Sequence, residues 1–169
     1  LTIFVSCKLP NKAVNNDEVN NVSVSCSTFA CDTQVVRHLL DLNGLDTISV
    51  KDVTGGRERV TSLNLPNRHI DTLPSILGNL SALRELDLGG NDISIIPREL
   101  GRLESLNYIS LRENDISLLP EEFFNLSNLE EVWLTYNKIT EIPDGIGQLK
   151  NLKHFIAYTN QISKISPSI

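Results

Sequence analysis

Methionine is absent from the 169 residues and the chain begins at Leu1, so its first residue is not a translation start and an upstream segment is expected. Aromatic residues are scarce at 5%, with one tryptophan and three tyrosines. No apolar run approaches the roughly 20 residues that a membrane-spanning helix needs, so the sequence offers no candidate span. Basic residues are outnumbered 21 to 15, and a net charge of -6 opposes binding to nucleic acids and anionic lipid surfaces. Histidines number three, at His38, His69 and His154, with neither H-E-x-x-H nor C-x-x-C spacing, which excludes the usual zinc patterns. Gly55 and Gly56 in T-G-G-R-E-R lack the lysine and hydroxyl of a phosphate loop and read as a turn. Glu121 with Glu122, and Glu130 with Glu131, are neighbours that point in different directions and read as solvated surface. No catalytic set and no cofactor are expected.

What the chain has in abundance is periodicity. A hydrophobic content of 40% is ordinary for one domain with a core, and that content is strictly ordered. Val60, Leu83, Leu106, Leu129 and Leu152 stand 23 residues apart, and each opens the pattern apolar-x-x-apolar-x-apolar. Isoleucine follows at Ile70, Ile93, Ile116, Ile139 and Ile162, then Leu73, Ile96, Leu119, Ile142 and Ile165, with prolines at Pro74, Pro97, Pro120 and Pro143.

The alternating stretch is a short strand sending its apolar residues inward, and stacked units give a parallel sheet. Asn91, Asn114, Asn137 and Asn160 recur where the chain must leave the strand, and a buried amide there bonds backbone groups that the sheet leaves unpaired. Each proline stops the strand, and segments such as 98–103 are expected to form a short helical or irregular convex side, with Leu80, Leu103, Leu126 and Leu149 turned inward.

These residues, in the form L-x-x-L-x-L-x-x-N-x-I-x-x-I-P-x-x-L-G-x-L, resemble the 23-residue class of the leucine-rich-repeat family over residues 60–169. The resemblance implies an α/β solenoid with a curved parallel sheet on its concave face, and a binding rather than a catalytic task. Departures fall at Arg68 in the first asparagine position, Phe124 where Gly78, Gly101 and Gly147 stand in other units, and Ser166 in place of a fifth proline. The fifth unit is incomplete at Ile169, and further repeats or a polar cap are expected beyond it.

Ahead of the repeats, residues 31–59 read as an amino-terminal cap. A helix is expected over 32–43, capped by Asp32, with Val35, Val36, Leu39 and Leu40 on one face and Asn43 with Gly44 as its stop. Residues 45–59 suggest an irregular strand. Residues 1–7, with Ile3, Phe4, Val5 and Ser6 before Cys7, resemble the end of a bacterial lipoprotein signal, which implies a lipid on Cys7; an ordinary apolar chain start is the alternative. Residues 8–30, rich in asparagine, read as a polar tether. With Cys7 acylated, Cys26 and Cys31 form an even pair suited to a disulfide; two reduced cysteines in a cytosolic chain are the alternative.

The register also names the outward positions of the sheet. One column is Ser62, Glu85, Tyr108, Glu131 and His154; the next is Asn64, Asp87, Ser110, Trp133 and Ile156; the third is Pro66, Gly89, Arg112, Thr135 and Tyr158; the fourth, at the strand exit, is Asn67, Gly90, Glu113, Tyr136 and Thr159. All three tyrosines and the tryptophan fall on this face, and such residues anchor interfaces. Tyr108, Arg112, Glu131, Trp133, Tyr136, His154, Ile156 and Tyr158 are therefore the expected contacts with a protein or peptide, and Glu85, Asp87, Glu113 and Glu131 favour a partner of basic character. Five strands about 4.8 Å apart span only about 20 Å, the lower edge of a standard interface. A monomeric, extracytoplasmic, lipid-tethered binding module is the first expectation. A cytosolic scaffold and the sensor portion of a larger enzyme, such as a receptor kinase, are the alternatives.

Overall fold

A computed structural model describes residues 28–55, 58–165 and 167 of the chain. The expectations for Cys7, Cys26 and the tether up to residue 27 lie outside the described residues.

The first helix, α1 (Phe29–Leu42), starts three residues before the expected Asp32, and Thr28 is its N-cap, with its hydroxyl accepting from Cys31 N–H at 3.3 Å. Asp32 therefore does not cap. It sits in the first turn, fully buried, and its carboxylate accepts from Arg59 Nε (2.8 Å), Arg59 Nη2 (3.0 Å) and the Val60 N–H (2.9 Å). An upstream cap frees this carboxylate to tie the helix to the first coil. Val35, Val36, Leu39 and Leu40 on one face of α1 are wholly buried in the core shared with the repeats. The helix ends at Asn43, followed by Gly44 at φ +67°, the left-handed step that a glycine makes without strain. The Asn43 side chain then clasps the first coil, accepting from the N–H groups of Asp71 and Thr72 and donating to Thr72 O.

The irregular strand expected over 45–59 is mostly not a strand. A single helical turn, α2 (Val50–Val53), precedes a two-residue strand, β1 (Thr54–Gly55), which pairs antiparallel with the first repeat strand. Leu45 and Ile48, like Val50 and Val53, are three residues apart, so a turn and not an extended chain brings each pair onto the core.

The repeat strands are β2 (Ser62–Asn64), β3 (Glu85–Asp87), β4 (Tyr108–Ser110), β5 (Glu131–Trp133) and β7 (His154–Ile156). With β1 they form one sheet in the order β1-β2-β3-β4-β5-β7, in which the five repeat strands run parallel, each neighbouring pair of them in a register of 23 residues, and β1 alone is antiparallel. Each expected proline is followed by a 3-10 turn on the opposite side: η1 (Ser75–Asn79), η2 (Arg98–Arg102), η3 (Glu121–Asn125) and η4 (Asp144–Gln148). In the last two units a second, two-stranded parallel sheet joins β6 (Glu141–Ile142) to β8 (Lys164–Ile165).

The asparagines are wired alike. Asn114 Oδ1 accepts from Ile93 N–H at 3.0 Å, and its Nδ2 donates to the carbonyls of Leu88, Leu111 and Arg112. Asn91, Asn137 and Asn160 repeat the arrangement, each in its own coil. Where Arg68 stands in the first unit, its own N–H is taken up by Asn91 Oδ1 at 3.0 Å. On the convex side, a side chain at Gly78 or Gly101 would overlap the carbonyl oxygen of Glu99 or Glu122 in the next coil. Phe124 breaks that glycine pattern, and its ring fills the space over Gly145, where the equivalent residue of the preceding unit is Glu122. At the far end Leu152, Phe155, Ala157 and Ile162 are only half-buried and Ile165 is exposed, because no coil among the described residues follows them.

Candidate functional site

The parallel register lines up Ser62, Glu85, Tyr108, Glu131 and His154 across the sheet, and beside them Asn64, Asp87, Ser110, Trp133 and Ile156. The flanking residues of the same strands point into the core, where Leu63, Leu86, Ile109 and Val132 are buried. The strand therefore fixes the outward direction of the polar and aromatic residues, and the core fixes the strand.

Glu131 is the hub of the C-terminal half. Its carboxylate accepts from the Trp133 indole N–H at 3.3 Å, and its other oxygen lies 3.9 Å from His154 Nδ1. This holds the tryptophan ring beside the histidine column. The rings of Tyr136 and Tyr158 meet edge to face, centroids 6.1 Å apart, and both side chains are exposed. Tyr108 is half-buried next to Glu131 in register. Its phenol is held above the usual tyrosine range, first by burial and then by the Asp87 carboxylate, with Glu131 adding in the same direction and Ser110 and Arg112 opposing. Of the expected contacts, Glu131, Trp133 and His154 thus form one group and Tyr136 with Tyr158 another. Arg112 is exposed in the third column, its side chain lying over Gly89, a place that a larger residue there would contest.

Thr135, in that same column, is buried, and its hydroxyl lacks a hydrogen-bond partner among the described residues. The exit positions Asn67, Gly90, Glu113, Tyr136 and Thr159 all have left-handed backbone, with φ between 53° and 67°. Beyond them an open groove of about 510 Å³ is lined by Asn91, Asp92, Glu113, Asn114, Asp115 and Tyr136. Asp92 and Asp115 did not enter the sequence reading of the face, although the recurrence of Asn-Asp-Ile in two successive units signals them. Also outside that reading are Ile95 and Leu118, exposed apolar residues one unit apart on the flank.

Histidines 38, 69 and 154 lie on α1, on an exit turn and on the sheet, and among the described residues no group of three or more His, Cys, Asp or Glu is placed to hold a metal ion. Burial lowers the His38 imidazole from its ordinary value, against the opposing pull of Asp41. Cys31, at the start of α1, is disulfide-bonded, while Cys7 and Cys26 lie outside the described residues.

The family description "Leucine-rich repeat region" matches residues 25–166. The chain belongs to the leucine-rich-repeat family. Comparison with curated proteins gives no match. Among solved structures, the family resemblance extends to a leucine-rich-repeat protein of Leptospira interrogans, 28% identical over 76% of this chain and 35% of that one, with a TM-score of 0.57. A chain of the BIR3–SERK2 complex from Arabidopsis thaliana is 27% identical, with coverage of 68% of this chain and 64% of that one and a TM-score of 0.61. The plant peptide hormone receptor RGFR1, solved in complex with RGF2, is 42% identical over 54% of this chain and 15% of that one, TM-score 0.51. This leucine-rich-repeat chain therefore spans about a third of the Leptospira protein and a smaller part of the hormone receptor.

Proposed function

We propose that this leucine-rich-repeat chain is a protein- or peptide-binding module that holds its partner on the concave sheet face, through Tyr108, Trp133, Tyr136 and Tyr158 with Arg112, Glu131, His154 and Ile156 around them. The observation that carries this reading is the placement of the single tryptophan and all three tyrosines on outward positions of a sheet whose inward positions are already filled by aliphatic side chains. Aromatics so placed stabilise no core and suit an interface. Two relatives were solved in complexes, one as a chain of the BIR3–SERK2 complex and one with RGF2, which supports the same use of the fold here. Glu85, Asp87, Glu113 and Glu131 against Arg112 favour a partner with basic character.

The module works outside the cytoplasm, tethered by a lipid on Cys7, with Cys26 and Cys31 paired. The disulfide state of Cys31 supports an oxidising compartment over a cytosolic scaffold. Similarity to a plant peptide hormone receptor favours a second reading, the sensor portion of a longer receptor, and the full-length gene separates the two.

The test is Trp133→Ala and Tyr108→Ala, measured by calorimetry against the partner purified from the native host. Each variant keeps its far-UV circular dichroism and loses more than about 2 kcal/mol of binding, roughly thirtyfold. Unchanged affinity in both would move the site to the convex side or the loops. Intact mass of the native chain, with and without reductant, reads the lipid and the disulfide directly.

A further inference from the structure

The pattern N-x-S, the acceptor motif for N-linked glycosylation, occurs at Asn79-Leu80-Ser81 and at Asn125-Leu126-Ser127. A third copy, at Asn21, lies outside the described residues. The first two stand two repeats apart in register, and each asparagine closes a 3-10 turn, so the motif by itself ranks them equally. In both, the serine N–H donates to the asparagine carbonyl, at 2.8 Å for Ser81 and 2.7 Å for Ser127, and the leucine between them is wholly buried.

Their surroundings differ. Asn79 is half-buried on η1, the turn against which α1 packs. The Ser81 hydroxyl accepts from Arg59 Nη2 at 3.1 Å, and the same guanidinium is held by the buried Asp32. A sugar chain on Asn79 would crowd the joint between the cap helix and the first coil. Asn125 and Ser127 are both exposed, and neither side chain makes a hydrogen bond among the described residues. The same position in the neighbouring coils holds Arg102 and Gln148, long polar side chains that are likewise exposed, so this strip admits bulk without reaching the core. It lies across the coil from the strand that carries Trp133.

We propose that Asn125 is an N-glycosylation site and that Asn79, with the same motif, is left bare. The co-reactant is a lipid-linked oligosaccharide diphosphate: the bond from Asn125 Nδ2 to the first sugar carbon forms, the glycosyl–phosphate bond breaks, Nδ2 gives up one proton and the lipid diphosphate leaves. The inference rests on the reading of a module outside the cytoplasm, in the form of the sensor portion of a longer receptor, because transfer to this motif belongs to the secretory route. The disulfide at Cys31 fits that compartment. A bulky hydrated glycan at Asn125 covers polar convex surface and leaves the concave face open to a partner.

The test uses the full chain and the variants Asn125→Gln, Ser127→Ala and Asn79→Gln, each produced in the native host. Intact mass is read before and after peptide-N-glycosidase, and peptide mapping locates each asparagine that the enzyme converts to aspartate. Conversion at Asn125 is expected, with complete loss of that glycan in Asn125→Gln and also in Ser127→Ala, where the asparagine itself remains. Asn79→Gln should keep the glycan mass of the parent chain. An unconverted Asn125 in the parent chain, a glycan at Asn125 that survives Ser127→Ala, or conversion at Asn79 would overturn the proposal. A bare Asn125 with Cys31 still oxidised removes the site alone; a bare Asn125 with Cys31 reduced removes the compartment as well. Neither result touches the Trp133→Ala measurement, and unchanged affinity there leaves the glycan in place.

Discussion

Removing the amide of Asn114 tests the internal wiring that holds the binding face in shape. In Asn114→Ala the Ile93 N–H, on a residue with no exposed surface, loses its acceptor at 3.0 Å. The carbonyls fare better: Leu88 O keeps the Asn91 amide at 2.8 Å and Leu111 O keeps the Asn137 amide at 2.8 Å. The loss is therefore one orphaned buried donor, about 1–3 kcal/mol, plus weakened bonds to acceptors that retain a partner, together about 3 kcal/mol. Asn160 makes the equivalent bonds but is half-buried, so water replaces part of what Asn160→Ala removes and about 1 kcal/mol is expected. Urea unfolding followed both by circular dichroism and by Trp133 fluorescence measures the pair. With an m value of about 2 kcal/mol/M, the Asn114 variant should lower the midpoint by about 1.5 M and the Asn160 variant by about 0.5 M. Equal costs at the two positions, or a cost below about 1 kcal/mol at Asn114, would refute the reasoning.

Gly101→Ala puts a methyl group against the Glu122 carbonyl of the next coil, and since backbone cannot step aside cheaply, a loss of about 2 kcal/mol in the same unfolding assay is expected. Thr135→Val removes a buried hydroxyl that has no hydrogen-bond partner among the described residues, so stability should hold or rise by up to about 1 kcal/mol; a clear loss would show that the hydroxyl is satisfied after all. Tyr108 should ionise above the ordinary tyrosine value, so the absorbance step at 295 nm that disappears in Tyr108→Phe should be the late one. Because the folded state retains that proton more tightly than the unfolded chain, its contribution to stability is full below the unfolded value near 10 and is lost as pH rises through the folded value.

The period of 23 residues carries most of the architecture by itself. It specifies which leucines and isoleucines turn inward, where the asparagines bond, and which residues of each strand face out, because strand alternation and unit stacking allow one common register. The concave columns were legible for the same reason: Tyr108, Glu131 and His154 stand side by side because each is the same distance from its unit's first apolar residue.

Outside the repeat, periodicity gives no register, and the tertiary structure decides. Asp32 looks like a cap in sequence, yet burial against the first coil makes it the partner of Arg59 and Val60 N–H, a pairing 27 and 28 residues away that no local pattern encodes. The segment after α1 folds into a turn of helix because its apolar residues must reach a core already shaped by other coils. The compensation of Phe124 by Gly145 spans two coils, and the groove at the exit turns exists only once three units are stacked. Local alternation determined the direction of each side chain; contact between coils decided what each side chain meets.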